Sequence, residues 1–195
     1  MTGARGVLVD RDGTLIRDVG YLSRREQIEL LPRVAEALRL LSHEGLKIIV
    51  VTNQSAIARG FLTESELRQI HGEVERELAR DGAHWDGIYY CPHHPCEGEA
   101  PYRVSCQCRK PNPGLAQLAA AEFHLDLSHS YVVGDQPSDM ELAAKIGAQG
   151  IRIDPQRAEK SGSRVVEVGD LWEAAQWIIQ DLRKKNQRPE KISWT

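Results

Sequence analysis

Two aspartates stand two residues apart in Asp10-Arg11-Asp12-Gly13-Thr14, directly after the apolar run Val7 to Val9. Paired carboxylates at the end of a short buried strand are equipped for phosphoryl transfer: one attacks a phosphomonoester, the other donates a proton to the departing alcohol. Asp10 is the expected nucleophile and Asp12 the expected general acid and base, with Gly13 free to turn sharply behind them. Two anions repel a phosphate, so the chemistry calls for a hard divalent cation with oxygen ligands, and magnesium suits one or two carboxylates plus a substrate oxygen. Asp135, in Gly134-Asp135, is the obvious further ligand. Thr52 and Asn53 offer a hydroxyl and an amide to phosphate oxygens, and Lys110 offers a positive charge to the phosphoryl group in flight. An Asp-x-Asp-Gly run also occurs in calcium loops, but here Leu15, Ile16 and Tyr21 follow where such a loop continues with oxygen ligands. Taken singly, Thr52-Asn53 also reads as a helix cap, Lys110 as a solvated charge and Gly134-Asp135 as a turn.

A second cluster lies between Cys91 and Cys108. Cys91-x-His93 and Cys106-x-Cys108 supply three thiolates and one imidazole, a closed tetrahedral set for structural zinc, although each pair is spaced more tightly than is common. Cys96 and His94 are surplus and compete for the same role. The segment is rich in Pro, Gly and charge and cannot build a core, yet it runs into Arg109-Lys110. Zinc would order it so that those cations meet the phosphate.

The elements that position these groups follow from periodicity. Strands are expected at Val7 to Val9, Leu46 to Val51, Ile88 to Tyr90, Tyr131 to Val133, Ile151 to Ile153 and Val165 to Val168. Helices are expected from Arg33 to a stop at Gly45, from the Thr63/Glu66 capping box to Gly82, from Pro113 to His124, from Asp139 to Ile146 and from Leu171 to Lys185. Strands alternating with helices predict an α/β fold: a doubly wound, mostly parallel sheet with helices on both faces. Ligands bind such sheets beyond the carboxyl ends of the strands, where Asp10 to Asp12, Thr52 to Gln54 and Gly134-Asp135 all fall. No stretch is long enough for a lid domain, so the cap is minimal and the crevice open. Loops at Asp18 to Tyr21, Ala58 to Gly60 and the zinc segment must select the substrate, with Arg109 available for a distal anion.

These residues resemble the haloacid dehalogenase superfamily of phosphatases, over nearly the whole chain. Asp10 to Thr14 looks like the first motif of that superfamily, Thr52 the second, Lys110 the third, and Gly134-Asp135 through Asp139 the fourth. The resemblance implies Asp10 as nucleophile, Asp12 as acid and base, and Mg2+ on Asp10, the Asp12 carbonyl and Asp135. Thr52-Asn53-Gln54-Ser55-x-Ile57-Ala58-Arg59-Gly60, Cys91-Pro92-His93-His94-Pro95 and Cys108-Arg109-Lys110-Pro111 are similar to a branch that removes the C7 phosphate from a heptose 1,7-bisphosphate. That branch makes activated heptose, a precursor of lipopolysaccharide core or other glycans. Its likeness implies substrate contacts at Asp18, Val19, Gly20, Tyr21, Thr52, Asn53, Gln54, Ser55, Arg109 and Lys110, and Zn2+ on Cys91, His93, Cys106 and Cys108. Two positions depart from the branch: Gln136 stands where Lys is common, and Ala56 where Gly is usual.

The chain has 195 residues, 41% of them hydrophobic, and a net charge of −3, with a pI near 6.2. A single phosphatase domain over residues 1–195, with a zinc loop at 91–108, is expected. The balance of charge leaves no footprint for nucleic acid, which disfavours a polynucleotide phosphatase. The basic run Arg183 to Arg188 reads as a solvated helix end. No apolar run reaches a membrane span and no leader pattern opens the chain, so a cytoplasmic monomer acting on a small phosphorylated sugar is the expectation. Histidinol phosphate is the rival substrate, and a non-catalytic binding protein that kept the fold is the rival class.

Overall fold

The computed structural model describes residues 3–156 and 165–186. Six strands, β1 (Gly6–Val9), β2 (Lys47–Asn53), β3 (Gly87–Cys91), β4 (Tyr131–Gly134), β5 (Gln149–Ile153) and β6 (Val166–Val168), form one sheet in the order β3-β2-β1-β4-β5-β6. Every pairing among them is parallel. Alternation along the strands divides the core in two. Val7, Val9, Ile48, Val50, Tyr131 and Val133 face one side, packed under α1 (Val34–His43), α2 (Glu64–Arg80) and α5 (Leu171–Asn186). Leu8, Ile49, Val51 and Val132 face the other, against α3 (Gly114–Phe123) and α4 (Pro137–Ile146). Strands buried on both faces read as the continuous apolar runs found in the sequence.

The strand order reverses direction between β1 and β4. In doubly wound sheets that reversal opens a crevice, because the crossovers on either side leave toward opposite faces. The register places the aspartate motifs there: Val9 pairs with Val50 on one side and Val133 on the other, and the Asp10 N–H donates to the Val133 carbonyl at 2.9 Å.

Several boundaries differ from the periodic expectation, and three of them bear on the site. β2 continues past Val51 to Asn53 because β3 stays paired with it as far as Cys91. α4 begins at Pro137 rather than Asp139, since proline lacks the N–H that a first helical turn leaves unpaired. α3 occupies Gly114–Phe123, with Pro113 as its N-cap and His124 as a left-handed C-cap. The end of the basic run, residues 187 and 188, lies outside the described residues. The Thr63 capping box forms as expected: Thr63 Oγ1 accepts from the Glu66 N–H, and Glu66 Oε2 accepts from the Thr63 N–H. Thr63→Ala is expected to lower unfolding free energy by about 1 kcal/mol in a urea titration, with activity unchanged.

Candidate active site

A cleft of about 240 Å³ opens beyond the carboxyl ends of β1, β2 and β4, lined by Asp10, Asp12, Asp18, Gly20, Thr52, Asn53, Arg109, Lys110, Gln136 and Ser138. Buried at its floor, Lys110 Nζ lies 2.9 Å from Asp10 Oδ1, 2.7 Å from Asp139 Oδ1 and donates to the Val51 carbonyl at 2.8 Å. Burial draws the Lys110 pKa down, but the charges of Asp10 and Asp139 outweigh it and leave the ammonium above its ordinary value. Burial first, then the charge of Asp10, push Asp139 up, while Lys110 pulls it back to about 6. The Lys110 backbone is clamped as well. Asn53 Oδ1 accepts its N–H at 2.9 Å and Asn53 Nδ2 donates to its carbonyl at 3.1 Å.

Carboxylate oxygens of Asp10, Asp135 and Asp139 all lie within 4.8 Å of one another. Burial first and Asp10 second raise the Asp135 pKa. Its Oδ2 accepts from Gln136 Nε2 at 2.8 Å, whereas its Oδ1 is buried with no hydrogen-bond partner. An orphaned buried carboxylate oxygen facing a second carboxylate fits a divalent cation, because a positive ion satisfies the oxygen and cancels the repulsion. Two glycines let the carboxylates come so close. A Cβ on Gly13, whose φ is +72°, would lie 2.5 Å from Asp135 Oδ2, and one on Gly134 would lie 2.2 Å from Asp139 Oδ2.

Asp12 has a different set of partners. Arg11 grips both its oxygens, Nη2 donating to Oδ1 and Oδ2 at 2.9 Å each and Nε to Oδ1 at 3.2 Å. Gln54 Nε2 donates to Asp12 Oδ2 and to Thr52 Oγ1, both at 2.8 Å. The Gln54 side chain thus joins Asp12 to Thr52 instead of lining the cleft. Val19, Tyr21 and Ser55 also fall outside the lining. Tyr21 sits on the rim, its ring 5.0 Å from that of Phe61 and 5.3 Å below the Arg59 guanidinium, which pairs with Glu97 of the cysteine loop.

In that loop the Cys91 and Cys106 sulfurs are 3.5 Å apart, and Cys108 Sγ lies 3.2 Å from each. His93 Nδ1 lies 3.6 Å from Cys91 Sγ and 3.2 Å from Cys108 Sγ. The edges of a tetrahedral Cys3His zinc site are roughly 3.4–3.8 Å, from zinc–ligand bonds of about 2.0–2.3 Å, so the four groups fit that ion. Burial and the neighbouring Cys108 push the Cys91 thiol up, which a cation would reverse. His94 Nδ1 accepts from the backbone N–H groups of Cys96 and Glu97, and Cys96 is exposed, so neither joins the set. The His93 carbonyl accepts from Arg109 Nη1 at 3.1 Å, carrying order from the cysteine cluster to a cleft cation.

Sequence reasoning passed over Asp139, Ser138 and the support beneath Asp12. Asp139 was visible only as the end of the fourth motif; its role as a Lys110 partner needs the turn of α4 to bring it back over Gly134. His71, which accepts from Arg11 Nη1 at 3.1 Å, looked like one more position on an amphipathic helix.

Residues 107–173 match the HAD-hydrolase-like family model. D-glycero-β-D-manno-heptose-1,7-bisphosphate 7-phosphatase of Yersinia pestis is 37% identical over 178 residues, covering 90% of each chain. The enzyme of that name from Photorhabdus laumondii is 42% identical over 149 residues, 75% of this chain and 79% of its own. The crystal structure of D,D-heptose 1,7-bisphosphate phosphatase from B. bronchiseptica, complexed with magnesium and phosphate, superposes with a TM-score of 0.76 at 28% identity, covering 90% of this chain and 99% of that one.

Two outcomes follow from the metal-site geometry. Gly13→Ala should displace Asp135 and raise the magnesium concentration needed for half-maximal activity on the order of ten-fold, read from a magnesium titration of the initial rate. Cys106→Ser should lose bound zinc by elemental analysis and lower Tm by roughly 5–10 °C.

Proposed function

We propose, starting from the fact that the chain belongs to the haloacid dehalogenase-like family of hydrolases, that it is a magnesium-dependent phosphatase removing the C7 phosphate of D-glycero-D-manno-heptose 1,7-bisphosphate. The observation that carries this reading is the buried Asp10–Lys110–Asp139 triad opening beside Asp135 into a polar cleft. It is the arrangement that attack by a carboxylate on a phosphate requires.

Asp10 Oδ1 accepts from the Arg11 N–H at 2.8 Å and is held by Lys110, which keeps Oδ2 for attack on phosphorus. The displaced C7 oxygen takes its proton from Asp12, and Asp10 carries the phosphoryl group as a mixed anhydride. Asp12, now a carboxylate, takes a proton from water as the water attacks that phosphorus and restores Asp10. Thr52 Oγ1 already accepts from Gln54, so its own proton is directed to a phosphoryl oxygen. Lys110 faces the charge that builds on the transferring group. Asp10, the Asp12 carbonyl and Asp135 would hold magnesium, which when bound would neutralise charge at the phosphoryl oxygens.

Arg109, fixed by the His93 carbonyl, meets the C1 phosphate, and Asp18 and Gly20 meet sugar hydroxyls. Gln136 gives an uncharged amide where a lysine is common in this branch, and it spends that amide on Asp135. The cleft's positive charge therefore rests on Lys110 and Arg109. The chain is read as one catalytic domain with its zinc loop at 91–108. It is read as a cytoplasmic monomer in the supply of activated heptose. No helix among the described residues is long and apolar enough to cross a membrane.

Phosphate release is compared for both anomers of the heptose bisphosphate and for histidinol phosphate, at matched concentrations with magnesium. One heptose anomer should be the best substrate, and a higher kcat/KM for histidinol phosphate would overturn the assignment. Asp10→Asn should reduce release to background while zinc content and thermal unfolding stay as in the wild type; residual turnover above background would remove Asp10 from the nucleophile role.

A further inference from the structure

The acid–base carboxylate is held from behind by a buried cage that reaches a different helix. Arg11 is 1% exposed, yet carries a full charge and several N–H donors. Two of its nitrogens serve Asp12, and Nη2 also donates to Gln54 Oε1 at 2.9 Å. The remaining nitrogen, Nη1, meets His71 Nε2 at 3.1 Å, from a residue 60 positions along the chain. His71 projects from α2, is 6% exposed and packs edge-on against Tyr90 with ring centroids 5.7 Å apart. An imidazole accepts at Nε2 only when that nitrogen is bare, so the ring proton belongs on Nδ1. Burial, and after it the charge of Arg11, bring the His71 pKa down to about 3, so the ring stays neutral.

A guanidinium is a rigid plane, and its use at Asp12 depends on the tilt of that plane. Nε and Nη2 are taken by Asp12 and Gln54, and the hydrogen-bond partner of Nη1 is His71. We propose that His71 is a positioning residue for the phosphatase reaction: by accepting from Nη1 it fixes the Arg11 plane, and through it the Asp12 carboxylate and the Gln54 amide that serves Thr52. The proposal rests on the phosphatase reading above and adds to it a residue remote from the cleft.

A misplaced Asp12 affects esters unequally. A sugar alkoxide cannot depart without a proton, whereas p-nitrophenolate leaves without one. Loss of Asp12 positioning therefore penalises the sugar ester specifically, and kcat/KM isolates this effect because it covers only steps through departure of the leaving group. Simple loss of folded protein lowers both substrates by the same factor.

The experiment measures kcat/KM of the full-length wild type, His71→Leu and His71→Gln on the heptose bisphosphate and on p-nitrophenyl phosphate, with saturating magnesium. His71→Leu, which has no acceptor, should lose roughly ten-fold or more on the sugar ester and less than about three-fold on p-nitrophenyl phosphate. His71→Gln, whose amide oxygen reaches the same place, should return the sugar ester to within about three-fold of wild type. Equal losses on both esters, no loss on either, or a Gln variant no better than Leu would each overturn the proposal. Where the Leu protein does not fold, His71→Phe, a flat ring with no acceptor, carries the same expectation. A wild type that hydrolyses neither ester refutes the phosphatase reading itself, and with it this proposal.

Discussion

A nearly buried lysine ammonium lies between two carboxylates at the end of a parallel sheet, and much of the architecture serves that contact. Lys110 is stable there only because Asp10 and Asp139 both face it. Each requirement constrains a different segment. Asp10 must leave β1 beside β4, which the strand order at the reversal point provides. Asp139 must fold back over Gly134, which the Pro137 start of α4 and the missing Cβ at Gly134 permit. Lys110 itself arrives on a loop and is held by its backbone to Asn53 at the end of β2. Three carboxylates against one ammonium still leave negative charge in surplus. The unpartnered Asp135 oxygen is where a divalent cation would balance it.

The cysteine loop solves a separate problem. Residues 91–108 carry too few apolar side chains to order themselves, and a loop that wanders cannot deliver Arg109 and Lys110 to a phosphate. Four soft and nitrogen donors within tetrahedral reach supply the missing constraint, and hydrogen bonds carry it onward, from His93 to Arg109 and from Asn112 Nδ2 to the Cys106 carbonyl. A metal bound there would substitute for a hydrophobic core under the loop. The Asp12 side of the cleft is built in the opposite way. A fully buried Arg11 bonded to its neighbour Asp12, to Gln54 and to His71 orders it through a packed polar network drawn from three separate parts of the chain. Such networks hold their shape only when each donor finds an acceptor.

Much of this was legible beforehand because it is local. Short apolar runs ending in Asp10, Thr52 and Gly134 name the strands and the crevice, since alternation and turn chemistry act over a few residues. The Thr63 capping box and the Cys-x-His and Cys-x-Cys pairs are readable for the same reason. Gln54 shows where local reading stops. A polar residue beside Thr52 at a strand end looks like a substrate contact, yet its amide is engaged by Arg11, Asp12 and Thr52. Nothing within its own segment says which way it turns.

By itself the sequence determined the class of sheet and the groups available for chemistry: paired aspartates after a strand, a lysine, a second glycine-aspartate and three cysteines with a histidine, all set by residue type and short spacing. Only the tertiary structure decided which of these groups touch. Asp139 against Lys110, His71 behind Arg11, and the exclusion of Cys96 and His94 from the zinc quartet are contacts across loops and helices. Periodicity reports which face of an element is buried. It does not report what that face meets, because the partner is chosen by the packing of the whole chain.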